Sequence, residues 1–153
     1  MKRLTLIDKA FFLKKTPLFS SLDLDLLLTI ADKLSLIVFE EKEDIFVLNE
    51  DANRMYFIVK GEVEIISNNH PLCMLQSGDF FGEESLFNNK PRSYTAKAKS
   101  KTHVMTLSRT NLYTIISECP SVAVGFLQVY ASNMDFRQNS QTRYLINQNN
   151  SLT

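Results

Sequence analysis

Residues 78–95 gather the side chains of this chain that are best suited to gripping a small polar molecule. Two of its four glycines, Gly78 and Gly82, stand here with Asp79, Glu83, Glu84, Pro91 and Arg92, between runs that are otherwise apolar. Glycines let a backbone turn tightly and approach a ligand closely. The segment from Glu83 to Phe87 is long enough for about one helical turn, whose free N–H groups favour an anion. Arg92 offers a planar cation able to hold a phosphate at two points, and Glu83 can accept hydrogen bonds from sugar hydroxyls. An acid for hydroxyls beside a cation for phosphate suggests a nucleotide.

The remaining chemistry is sparse. His70 lies in a polar turn and His103 in a strand, neither with an acid or cysteine at ligand spacing, so no metal site is assigned. Serine, histidine and aspartate all occur, but no pattern around them forms a nucleophile elbow or zinc motif, so no catalytic residue and no enzyme activity is expected. Cys73 and Cys119 lack C-x-x-C spacing and are expected as small buried hydrophobes, which makes the cytoplasm the simplest location.

The elements that must position residues 78–95 follow from periodicity. Leu4, Ile7, Phe11 and Phe12 recur at helical spacing up to Lys15, and Pro17 stops that helix. A second helix is predicted from Asp23, a plausible N-cap, through Leu26, Leu27, Ile30 and Leu34. Short β-branched and aromatic runs come next at 36–39, 45–48, 55–59, 63–66 and 72–75, then at 94–98 and 102–107 after the glycine-rich stretch. Gly61 is placed to turn a hairpin at positive φ. Close-spaced strands of this kind imply a sandwich, barrel or roll. Ser108 can cap a helix running to Ser117, and Pro120 separates it from a last helix that is apolar from Val122 to Tyr130. Phe11, Phe12, Phe19 and Phe57 are expected in the core.

With 153 residues, 44% hydrophobic and 22% charged, the chain is expected to form one domain spanning 1–153. Seventeen basic and seventeen acidic side chains cancel, which argues against nucleic acid as a direct partner. The apolar start is interrupted by Asp8 and Lys9, too early for a signal peptide. No run reaches the ~20 apolar residues of a membrane span.

The chain resembles a cyclic nucleotide-binding domain, the module of catabolite-activator-type regulators, protein kinase regulatory subunits and cyclic-nucleotide-gated channels. The likeness lies in 12–19, in 55–63 and above all in the family's phosphate-binding cassette. That cassette reads F-G-E-x-[AS]-L, a spacer, then P-R-[AST]-A. Here it stands as Phe81, Gly82, Glu83, Glu84, Ser85 and Leu86, then Pro91, Arg92, Ser93 and Tyr94, with Glu83 and Arg92 nine positions apart.

The resemblance implies an α+β, mainly β fold: an antiparallel, jelly-roll-like β-roll at about 35–107. N-terminal helices at about 4–34, a short cassette helix, two C-terminal helices at about 109–145 and a polar tail at about 146–153 complete it. It gives Glu83 the ribose 2′-hydroxyl and Arg92 the cyclic phosphate, with backbone N–H groups around Ser85 and Ser93 and an open approach at Gly82. The implied ligand is cAMP, with cGMP as the alternative, and no cofactor is implied. The implied function is a sensor acting on an unknown protein effector, without its own DNA-binding or catalytic domain, and a homodimer through the last helix is compatible with it. Tyr130, Phe136 and Tyr144 are candidate caps on the base.

Four positions depart from the family pattern. Tyr94 replaces an alanine: turned inward it narrows the pocket and favours a degenerate fold serving as an interaction scaffold, and turned outward it leaves the site working. Glu84 replaces an aliphatic residue and is expected to reach water. Lys42 and Asn49 replace turn glycines.

Overall fold

The structure is a computed structural model that describes residues 3–134. Two helices open the chain, α1 (Leu6–Lys14) and α2 (Leu24–Asp32), closed at their N-termini by side chains as the sequence suggests. Thr5 and Asp8 form a reciprocal capping box on α1, and the Asp23 carboxylate accepts the Leu26 N–H on α2.

The strands are β1 (Ser35–Phe39), β2 (Asp44–Phe46), β3 (Arg54–Lys60), β4 (Glu62–Ser67), β5 (His70–Gln76), β6 (Phe80–Phe81), β7 (Thr95–Ala98) and β8 (Thr102–Ser108). They build two four-stranded antiparallel sheets, ordered β1-β8-β3-β6 and β2-β7-β4-β5. This is the expected β-roll. A one-turn helix, α3 (Glu84–Asn88), interrupts the strands, and α4 (Arg109–Glu118) and α5 (Ser121–Ser132) follow them. The Ser108 hydroxyl accepts the Asn111 N–H and starts α4. Phe136, Tyr144, the expected helix continuation to 145 and the polar tail lie outside the described residues. Among those described, no single helix is long and apolar enough to cross a membrane.

Strand β3 explains why its sequence is a continuous apolar run: both of its faces are buried. Met55 and Phe57 point into a cluster with the helices, while Tyr56 and Ile58 point into a second cluster between the sheets. Each such side chain contributes about 1.5–3 kcal/mol on burial.

Gly61 turns the β3–β4 hairpin at φ 105°, as predicted, and a Cβ there would meet the Lys101 carbonyl oxygen and the Thr102 Cα at 2.8 Å. Gly61→Ala is therefore expected to destabilise the fold by at least ~1–3 kcal/mol, read as a lower midpoint in urea denaturation. Lys42 and Asn49 do adopt the left-handed backbone of the glycines they replace, with φ of 74° and 72°.

Two expectations about burial are corrected. Phe11 is 58% exposed, not core, because α1 turns Ala10 and Leu13 toward α2 and carries Ile7 and Phe11 around to the outer side. Cys73 is exposed, since β5 is the outer strand of its sheet and has a mostly solvent-facing surface.

Candidate functional site

The site is assembled from three pieces of chain. Strand β6 delivers Phe80 and Phe81 antiparallel to β3, and the chain then turns at Gly82, φ 83°, into α3. The loop 89–94 returns from α3 to β7. The backbone of Arg92 is fixed on both sides: its N–H donates to the Glu50 carbonyl and its own carbonyl accepts from Asn49, each at 2.8 Å. The left-handed turn at Asn49 thus has a purpose in holding Arg92.

The Arg92 side chain is 3% exposed. Nη1 donates to the Gly82 carbonyl at 2.5 Å and Nη2 to the Arg54 carbonyl at 2.6 Å, and Cζ lies 4.0 Å from the centre of the Phe46 ring. Among the described residues no carboxylate pairs with it, and its Nε has no partner there. Burial presses its pKa down, but a guanidinium keeps its charge. A Cβ on Gly82 would stand 2.8 Å from Nη1, so glycine here makes room for the arginine.

Glu83 is also buried. The Tyr130 hydroxyl, brought by α5, donates to its Oε1 at 3.0 Å, whereas Oε2 has no partner among the described residues. Its pKa is pushed up to about 7, chiefly by burial and next by the charge of Glu84. Beside it opens a cavity of about 410 Å³, lined among others by Leu75, Gly78, Phe80, Val129 and Tyr130. Tyr130, a candidate base cap on sequence, here serves the acid.

Of the two orientations left open for Tyr94 the structure takes the inward one, and Glu84 departs from expectation. Ala96 and Ala98 face the roll interior, so the two-residue period of the strand puts Tyr94 on the same side. Its ring packs 5.3 Å from that of Phe46, and its hydroxyl accepts the Gly82 N–H at 3.0 Å. The same hydroxyl donates to the Glu84 carboxylate, at 2.9 and 3.0 Å to the two oxygens. Glu84 is thus half-buried and bound within the cassette instead of reaching freely to water. Burial and the two neighbouring carboxylates hold the Tyr94 phenol well above its usual pKa.

Ser85 is buried, with its hydroxyl 3.4 Å from the Pro91 carbonyl, and Ser93 is exposed. The structure gathers Gly82, Glu83, Glu84, Ser85, Arg92 and Tyr94 around the turn into α3. Residues the sequence did not single out complete the surroundings: Phe46 beneath the guanidinium, the Arg54 carbonyl, and Arg109, whose Nη2 donates to the Ser85 carbonyl at 3.2 Å. Among the described residues, no group of three His, Cys, Asp or Glu side chains converges on a metal position.

A roll of two antiparallel sheets enclosing a buried acid and arginine on one short cassette is the architecture of a cyclic nucleotide-binding domain. The profile of that family matches residues 36–119, and the chain belongs to it. It is 35% identical over 118 residues to a Rhodopseudomonas palustris protein that bears a potassium-channel name, covering 75% of this chain and 29% of that protein. The chain spans less than a third of the curated relatives it matches, 29% and 13% of two of them.

Among solved structures, the Thermus thermophilus catabolite activator protein superposes with a TM-score of 0.76 at 23% identity, over 86% of this chain and 63% of that one. That likeness concerns the fold. The regulatory subunit of a cAMP-independent protein kinase A from Trypanosoma cruzi, bound to guanosine, gives a TM-score of 0.70 at 26% identity, over 94% of this chain and 52% of that one.

Proposed function

We propose that this domain is a cytoplasmic sensor that binds a cyclic nucleoside monophosphate, cAMP in preference to cGMP, and passes the signal to a partner protein. One observation carries the reading: Glu83 and Arg92 are both buried, and each keeps a polar atom without a partner among the described residues. Burying such groups is unfavourable unless something satisfies them. A nucleotide is complementary, with ribose hydroxyls for the Glu83 carboxylate and an anionic phosphate for the guanidinium. Backbone N–H groups near Ser85 and Ser93 would complete the phosphate cradle. The free thiols of Cys73 and Cys119 accord with a reducing compartment. Signalling in such a module is a shift in population, limited by how much better the ligand binds one conformation.

Tyr94 favours a second reading, the interaction scaffold. Its hydroxyl already occupies the Gly82 N–H, and the Glu84 carboxylate adds a negative charge where an anion would have to come. The exposed side chains Ile7 and Phe11 on α1, or Val124 and Leu127 on α5, would then meet the partner or a second copy. The sensor reading is preferred because the Arg92 guanidinium, although bonded to two carbonyls, has no counter-charge among the described residues, and a phosphate would supply one.

Calorimetry with cAMP, cGMP and guanosine decides between them, guanosine being included because the T. cruzi relative holds it. The expected result is saturable heat with cAMP. Absence of heat and of any melting shift with all three at millimolar concentration would leave the scaffold. Tyr94→Phe, which removes the hydroxyl and frees the Gly82 N–H, is expected to raise cAMP affinity several-fold while lowering stability by about 1 kcal/mol.

A further inference from the structure

A second cavity, of about 460 Å³, lies at one end of the roll and shares none of its lining residues with the cavity beside Glu83. Three elements bring cations to it: Lys33 from the C-terminal end of α2, Arg54 from β3 and Arg109 from the first position of α4. The register explains the convergence. Arg54 lies opposite Ser108 and Ser35 opposite Thr106, so neighbouring strands turn these polar side chains to one face of the sheet.

Every residue lining this cavity is polar, and none is acidic. Lys33, Arg54 and Arg109 are absent from the ion pairs of the described residues, and the Arg109 Nε is buried without a hydrogen-bond partner. The first turn of α4 carries no acid, so its partial positive charge adds to the three cations. Unpaired like charges held together repel one another. A counter-charge entering the cavity would relieve that repulsion.

We propose that this cavity is a binding site for a small soluble polyanion of the pyrophosphate or phosphorylated-polyol class. Three cations match two or more negative charges, and the surrounding hydroxyls and amides of Ser35, Asn53, Thr110 and Asn111 suit phosphoryl oxygens and alcohols. No aromatic ring lines the cavity on which a base could stack, and no apolar side chain is there to enter a membrane. A nucleotide base and a lipid headgroup both fit less well than a compact phosphate ester. Arg109 also reaches the Ser85 carbonyl, so the site touches the cassette from behind.

Titration of the whole chain with inorganic pyrophosphate at low ionic strength, followed by calorimetry and amide chemical shifts, tests the site. Saturable binding is expected, with the largest shifts at 53–54 and 108–111. Affinity should fall at least tenfold in the K33Q/R54Q double variant and severalfold in Lys33→Gln alone, whose side chain makes no hydrogen bond among the described residues. The proposal is overturned by no saturable binding at millimolar pyrophosphate, by equal binding to the K33Q variant, or by largest shifts at 82–93 in place of 53–54 and 108–111. Sedimentation with anionic phospholipid vesicles in place of pyrophosphate binding would overturn it too.

Discussion

Arg92→Ala is expected to weaken cyclic-nucleotide binding by roughly ten- to more than a hundredfold. The guanidinium is the one buried cation of the cassette, and a hydrogen bond to a charged group is worth about 1.5–3 kcal/mol, which that factor expresses as affinity. The same change has a structural cost. It leaves the Gly82 and Arg54 carbonyls without their donors and removes the group stacked on Phe46. Thermal or urea unfolding should therefore show a loss of a few kcal/mol without ligand, since each orphaned buried acceptor costs about 1–3 kcal/mol. Arg92→Lys separates the two roles: it keeps the charge but cannot span two carbonyls, and its affinity should fall between those of wild type and the alanine variant. Unchanged affinity in Arg92→Ala would remove the arginine from the site.

The second large effect is pH-dependent and belongs to Glu83. Its carboxyl titrates near 7 in the folded chain, against about 4.5 unfolded, because the interior disfavours its charge. The folded state then holds the extra proton between these values. Stability accordingly falls as pH rises from about 4.5 to about 7, and stays lower above it. A displacement of this size corresponds to about 3 kcal/mol, to order of magnitude.

Glu83→Gln should flatten this slope and stabilise the chain above pH 7, as measured by denaturant midpoints from pH 5 to 8. The ligand should depend on pH in the opposite direction. The carboxylate is the better acceptor for ribose hydroxyls, so cAMP affinity should rise with pH through about 7 and then level. A slope in stability that survives Glu83→Gln would assign the titration to another group.

How far the sequence reaches is clearest at individual residues. The caps at Asp23 and Ser108 and the hairpin at Gly61 were legible because each depends on a local rule linking side chain to backbone. Seven of the eight strands were legible from composition, β6 being only the two residues Phe80 and Phe81, and the cassette was legible from residue types at fixed spacing. The inward direction of Tyr94 was also legible in principle. It is two residues before Ala96 and four before Ala98, and small residues crowded into a roll mark the inner face. Phe11 misled because an apolar residue is identified by type, whereas its side of α1 depends on where α2 docks.

The sequence by itself determined a β-rich sandwich, barrel or roll between helices and named Glu83 and Arg92 as a pair for a nucleotide, since these follow from local pattern and spacing; the roll itself came with the resemblance to the family. Tertiary structure alone decided what those residues touch. It brought Tyr130 from α5 to the Glu83 carboxylate, set Arg92 on two backbone carbonyls and the Phe46 ring, and joined Tyr94 to Glu84 across Gly82. It also drew Lys33, Arg54 and Arg109 to one cavity from positions far apart in the chain. The physical reason is the same in each case. Hydrogen bonds and fields between distant residues depend on how helices and sheets pack, and neither residue carries a mark of its partner.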